Sequence, residues 1–316
     1  MTPFLLKAPC KDYIWGGSRL REFGKVSDAD RIAESWELSC HPDGESIIAS
    51  GEWEGRTLTG YLAAHPEALG KNCRGFDRFP VLIKLIDAHD DLSVQVHPDD
   101  AYALLHEGEY GKTEMWYVLD AQPGAELIFG FDREVTREEF QRAIEENRLT
   151  ELVRRVPVKP RDVFFIPSGT LHAIGRGLLI AEVQQNSNTT YRVYDYGRRG
   201  ADGKPRELHI AKALEVTRLT PNPEPPPRTG DVLGECRYFR TSLRHADGAL
   251  KVTAEDSFLH LLVTEGSALL RTDGGTEKIS RGASIFLPAG TSCTVEGHCT
   301  MLETGIGQND SKNSAD

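Results

Sequence analysis

Two stretches of this 316-residue chain repeat each other, and the repeat limits the possible folds more than any other feature. RDVFFIPSGTLHAI (161–174) aligns with GASIFLPAGTSCTV (282–295), setting Pro167 on Pro288, Gly169 on Gly290, Thr170 on Thr291 and His172 on Cys293. Upstream, EMWYVLDAQPG (114–124) aligns with DSFLHLLVTEG (256–266), with Gly124 on Gly266. From glycine to proline the chain runs 43 residues in the first copy (124 to 167) and 22 in the second (266 to 288). The surplus of 21 matches the length of TREEFQRAIEENRLTELVRRV (136–156). That segment opens on Thr136 and Glu139 as a capping box and then sets Phe140, Ile144, Leu149, Leu152 and Val153 at roughly helical spacing. One β unit therefore occurs twice, and the first copy holds a helical insertion at about 132–157.

Short apolar runs punctuated by Gly and Pro fill most of the remainder. Strands are predicted at 78–88, 114–121, 125–131, 162–169 and 178–185, and late in the chain at 258–266, 267–275 and 283–290. Further helices are predicted at 99–111 and 206–218. TPNPEPPPRTG (220–230), with five prolines, reads as a linker between a first domain (1–219) and a second (231–306), and the polar 307–316 as a disordered tail. The fold class expected is mainly β, a pair of related sandwiches or barrels.

Formal net charge is −11, which argues against a nucleic-acid ligand and requires any bound anion to find a local basic site. The six cysteines form no CxxC pair, no run of about 18 apolar residues exists, and MTPFLLKAPCKDYIWGG lacks the features of a signal peptide. A cytoplasmic protein with no membrane partner is expected.

DLSVQVHPDD (91–100) carries the chemistry. On an extended chain Val94 and Val96 point one way, and Ser93, Gln95 and His97 the other. The P-x-G-x-x-H pattern ending on His172 resembles the second motif of the cupin superfamily, whose double-sheet jelly rolls hold a metal on His and carboxylate ligands. On that likeness the chain is two cupin-type barrels: the first keeps its polar positions, and the second is degenerate. Gln95, His97, Glu114 (opening EMWYVLD) and His172 then come from three separate segments to one interior. Two imidazoles and a carboxylate suit zinc and similar first-row ions, and an amide oxygen makes a weaker fourth ligand.

QVHPDD, GKTEMWYVLDA, IPSGTLHAIG, EVQQNSNTTYRVYDYGR and ELHIAKALE, with YIWGG (13–17) and ELSCHPD (37–43), together resemble the type I mannose-6-phosphate isomerases of short bacterial form. The resemblance implies one zinc per chain on Gln95, His97, Glu114 and His172, a phosphorylated hexose as substrate, an active-site arginine at Arg192, and a monomer or homodimer. The implied reaction moves a proton from C2 to C1 through an enediol, interconverting mannose 6-phosphate and fructose 6-phosphate. Lys84, in the apolar run LIKLIDA, and Lys112, two residues before Glu114, match lysines near the family's site. Burial would lower the pKa of Lys84 and let it act as base or acid. For the phosphate, Ser93, Lys112, Arg198 and Arg199 are the candidates; Arg192, Tyr194 and Tyr196 would share one strand face. Competing readings are another metal-dependent cupin enzyme, such as a non-haem iron dioxygenase or a different sugar-phosphate isomerase, and a non-catalytic sugar-binding or regulatory cupin.

Overall fold

The computed structural model describes residues 1–199, 203–222 and 230–307. Most of the proline-rich segment 220–230, and the tail beyond 307, lie outside the described residues. The fold is mainly β. Among the described residues no helix is long and apolar enough to cross a membrane.

Two antiparallel sheets face each other in the first part of the chain. The six-stranded sheet runs Val163–Ile166, Glu114–Ala121, Leu178–Gln185, Val81–Ala88, Glu34–Leu38, Cys10–Lys11. The five-stranded sheet runs Tyr191–Tyr194, Val94–Val96, His172–Ile174, Glu126–Phe131, Val153–Pro157. Strand alternation sorts the side chains. Val94 and Val96 are buried on the outer face, in one apolar cluster with Phe140 and Ile144 of the helix Arg137–Glu145 and Ala213 of the helix Ile210–Val216. Their neighbours face the opposite sheet, so the polar row singled out in DLSVQVHPDD is turned inward.

The C-terminal part forms an eight-stranded sheet with its own apolar cluster, including Leu261, Val263, Ile285, Val295 and Met301. Two of its strands come from the other end of the chain. Phe4–Lys7 pairs antiparallel with Ser284–Leu287, Phe4 opposite Phe286, and Ile47–Ile48 pairs with Phe4–Lys7. Phe4 stacks on Phe286 at 5.4 Å and meets Tyr61 edge-on at 4.9 Å. The N-terminal strand thus covers an edge that would otherwise expose unpaired backbone groups, and it crosses the boundary drawn at 220–230.

Two local expectations are corrected. The helix predicted over 136–156 ends at Glu145; Asn147 takes a positive φ of 58°, and Val153–Pro157 returns as a strand beside Glu126–Phe131. Val153 and Val156 are β-branched at the end of this run, and sheet pairing wins over helical spacing. The two strands predicted at 258–266 and 267–275 are one strand, Leu259–Thr272, bent at Gly266. There φ is 79° and a Cβ would lie 2.2 Å from the His298 carbonyl oxygen, so only glycine fits.

Candidate metal centre and active site

Register brings the site together. In the five-stranded sheet Arg192, Gln95, His172 and Phe129 stand opposite one another on successive strands. In the six-stranded sheet Phe164, Trp116, Glu182, Lys84 and Trp36 do the same. Glu114, two residues before Trp116, shares that face. The two faces meet where the Trp116 ring stands edge-on to His172, centroids 5.3 Å apart.

His97, Glu114 and His172 are completely or almost completely buried, with ligand atoms all within 4.8 Å of one another. His172 Nε2 lies 3.3 Å from Glu114 Oε1, and His97 Nε2 lies 3.6 Å from Glu114 Oε2. Ligand atoms around a tetrahedral ion with bonds of about 2.0–2.1 Å sit about 3.3 Å apart. His97 Nδ1 donates to the Thr189 carbonyl at 3.0 Å, and His172 Nδ1 donates to the Thr170 carbonyl at 2.8 Å. A carbonyl only accepts, so each Nδ1 carries the hydrogen and each Nε2 presents a lone pair to the centre. His97 Nε2 and both Glu114 oxygens have no hydrogen-bond partner although buried. Orphaned acceptors converging on one point fit a cation. Gln95 lies against the set: its amide nitrogen is 3.3 Å from His172 Nε2, and a half-turn of the amide puts its oxygen there.

Electrostatics agree. Burial, then the Lys112 ammonium, holds His97 well below the usual histidine range. Burial pushes His172 down to about 4, so both rings stay neutral. Burial and the nearby Glu182 push Glu114 up to about 8 when no cation is present. A dication would reverse that, since ligation requires the ionised form. The Lys112 ammonium lies 3.2 Å from Glu114 Oε2.

A cavity of about 270 Å³ opens beside this set; Gln95 and Lys112, which contact His172 and Glu114, stand in its wall. Ser93, Lys84 and Arg192 line it. The expected fall in the Lys84 pKa is not found. Burial opposes its charge, but Glu34 (3.5 Å) and Glu182 (3.8 Å) outweigh it and raise the pKa, so Lys84 is a cation at neutral pH. Arg198 and Arg199 lie outside the cavity. Arg198 pairs with Asp195 and donates to the Asp91 carbonyl, while Arg199 donates to the Gly203 carbonyl. Tyr196 leaves the strand face of Arg192 because its φ is 55° and the register slips between Arg192 and Tyr194.

Three charged lining groups escape the sequence reading: Glu34, Glu182 and Arg206. Glu182 resists ionisation through burial, but Lys112, Lys84 and the Trp116 indole N–H (2.8 Å) outweigh this and hold it below the usual carboxylate range. The signal for it was a lone carboxylate in LLIAEVQQ, matching the lone lysine in LIKLIDA. Lys84, Lys112, Arg192 and Arg206 give the cavity the local basic character an anionic ligand needs in a chain of net charge −11. In the second copy Cys293, opposite His172, is buried in the apolar cluster and joins no such set.

The rim contains Glu109. The His41 hydrogen bond, then the Asn188 N–H, hold its carboxyl down at about 2 against the resistance of burial. An ordinary glutamate titrates at about 4.3. The contribution to stability is therefore full above about 4.3 and is lost as pH falls toward 2. We expect Glu109→Gln to shrink the drop in Tm between pH 6 and pH 3; an unchanged drop would contradict this.

Fold and site together define a cupin-type β protein with a His/Glu/His metal-competent centre at the base of a cationic cavity. A family model for the type I phosphomannose isomerase catalytic domain matches residues 4–123, and one for the mannose-6-phosphate isomerase cupin domain matches 231–304. Mannose-6-phosphate isomerase ManA of Bacillus subtilis (strain 168) is 42% identical over 297 residues, covering 91% of this chain and 93% of that protein. The mannose-6-phosphate isomerase of Streptococcus mutans is 38% identical, covering 90% of this chain and 92% of that one. The crystal structure of a Bacillus subtilis mannose 6-phosphate isomerase superposes with a TM-score of 0.89 at 38% identity, covering 97% of this chain and 100% of that chain. The chain belongs to the type I phosphomannose isomerase family.

Proposed function

We propose that this protein is a zinc-dependent isomerase that interconverts mannose 6-phosphate and fructose 6-phosphate through an enediol. Membership of the family makes it an aldose–ketose isomerase. The observation that carries the metal reading is the set of buried acceptors at His97 and Glu114 that no hydrogen bond satisfies, beside a cationic cavity. Gln95, His97, Glu114 and His172 would hold the ion. A divalent metal there supplies Lewis-acid stabilisation of the negative charge developing on the sugar's O1 and O2.

The chain's own groups do the rest. Glu182 is an ionised carboxylate between two ammonium groups, with its Oε1 3.8 Å from Lys84 and 4.0 Å from Lys112. In our reading Glu182 takes the C2 proton, exchanges it with solvent through the open cavity and delivers a proton to C1, while Lys84 and Lys112 donate to the sugar oxygens. Arg192, always cationic, neighbours Gln95 in register and offsets the enediolate charge. Ser93 lies two residues from Gln95, about 7 Å along the strand, which suits it to the phosphate end together with Arg206. The six cysteines are free thiols, which fits a cytoplasmic location.

Reaction in heavy water tests the proton route: fructose 6-phosphate formed from mannose 6-phosphate should carry deuterium at C1. Complete retention of the original hydrogen would favour a direct hydride shift and sink the enediol step. A second test separates the two arginines. Arg206→Ala should raise KM about 10–100-fold, as expected for a lost charged hydrogen bond, whereas Arg198→Ala should change it less than about threefold, since Asp195 binds both guanidiniums but only Arg206 lines the cavity. Equal effects would contradict the placement.

A further inference from the structure

Glu109 lies outside both the metal set and the cavity lining. Its Oε1 receives His41 Nε2 at 3.2 Å. Its Oε2 receives the Ser187 hydroxyl at 3.2 Å, the Asn188 backbone N–H at 3.1 Å and the Thr189 hydroxyl at 3.1 Å. One carboxylate therefore ties down three consecutive residues. The next bond inward is the one that matters, because the carbonyl of Thr189 receives His97 Nδ1. On either side of it, Asn188 and Thr190 form part of the cavity wall.

The outer partner is equally fixed. His41 Nδ1 accepts from the Asp43 backbone N–H at 3.1 Å, so its Nε2 carries the hydrogen that Glu109 receives. The His41 side chain is buried and stands edge-on to Trp36, over whose face the Lys84 ammonium sits at 4.8 Å. Asn188 Nδ2 also donates to Asp43 at 2.8 Å, so the 41–43 segment and the 187–189 turn are clasped from both directions. This gives ELSCHPD (37–43) and the NSNTT stretch (186–190) a joint purpose.

We propose that Glu109, backed by His41, is a positioning residue for the metal centre: by anchoring the Ser187–Thr189 turn it keeps the Thr189 carbonyl where it holds His97 in the metal-binding tautomer. The inference rests on the metal reading above and adds to it a group that touches neither ion nor substrate. Without the carboxylate, three donors lose their common anionic acceptor and the turn can relax. The His97 ring is then free to rotate or to move its hydrogen to Nε2, which removes the lone pair from the centre.

The test uses the whole chain stripped of metal, with zinc affinity measured by chelator competition and the visible spectrum recorded after loading with cobalt(II). Outer-shell partners of a metal ligand are worth about 10–100-fold in affinity. Glu109→Ala should weaken zinc binding about tenfold and shift the cobalt bands. Glu109→Gln keeps one oxygen for the turn with a bond roughly half as strong, so it should lose about threefold and shift the bands in the same direction. If Glu109→Ala does not fold, Glu109→Gln decides alone. A folded variant with wild-type zinc affinity and unchanged bands overturns the proposal, and so does a lower Tm with unchanged bands. If the wild-type chain takes up no zinc, the metal reading falls and this proposal with it; equal uptake by wild type and variants removes this proposal only.

Discussion

His172→Ala is expected to remove the bound metal and to lower kcat/KM about a thousandfold or more. A metal ion contributes several kcal/mol to the stabilisation of developing charge, and each 1.36 kcal/mol is a factor of ten in rate. His172 is fully buried, its Nδ1 hydrogen is committed to Thr170, and its Nε2 sits 3.3 Å from Glu114. Among the described residues the clustered ligand groups that remain are His97 and Glu114. The Trp116 ring loses its edge-on partner, so far-UV circular dichroism and Tm must accompany the metal analysis. A folded variant retaining one equivalent of metal would remove His172 from the ligand set.

Lys112→Met should lower kcat by about 10²–10⁴-fold, the usual weight of a positioned acid or base, with the metal still bound. Lys112 is a buried cation between two buried carboxylates, 3.2 Å from Glu114 and 4.0 Å from Glu182. Methionine keeps the packed stem and removes the charge. In the metal-free protein the carboxylates then lose part of their compensation. Breaking a buried ion pair costs about 3–5 kcal/mol; protonation of Glu114 offsets part of this. Metal-free Tm should therefore fall more than metal-loaded Tm. Steady-state kinetics with mannose 6-phosphate at full metal occupancy give the readout, and a kcat within about threefold of wild type would take Lys112 out of the chemistry.

The His97–Glu114–His172 cluster was legible because its signals were local. Alternation in SVQVH put Gln95 and His97 on one face, and the repeat singled out His172 by contrast with Cys293. Glu114 opened a strand that ended where it was predicted to end, at Ala121. What escaped was non-local. Glu34 and Glu182 reverse the expected behaviour of Lys84, and they reach it only through pairing of three strands distant in sequence. Arg206 enters the cavity from the segment leading into the Ile210–Val216 helix, held by the same Asp195 that withdraws Arg198. The four-residue FLLK strand carries no local sign that its partner is Ser284–Leu287, some 280 residues later. Propensity and periodicity describe a segment, whereas register between distant segments is decided by which faces bury each other.

The most direct measurement is the rate of fructose 6-phosphate formation from mannose 6-phosphate as zinc is returned in steps to chelator-treated protein. The rate should be negligible without metal and rise linearly to a break at one equivalent per chain. Full activity in the metal-free protein, or no activity at any zinc content, would contradict this.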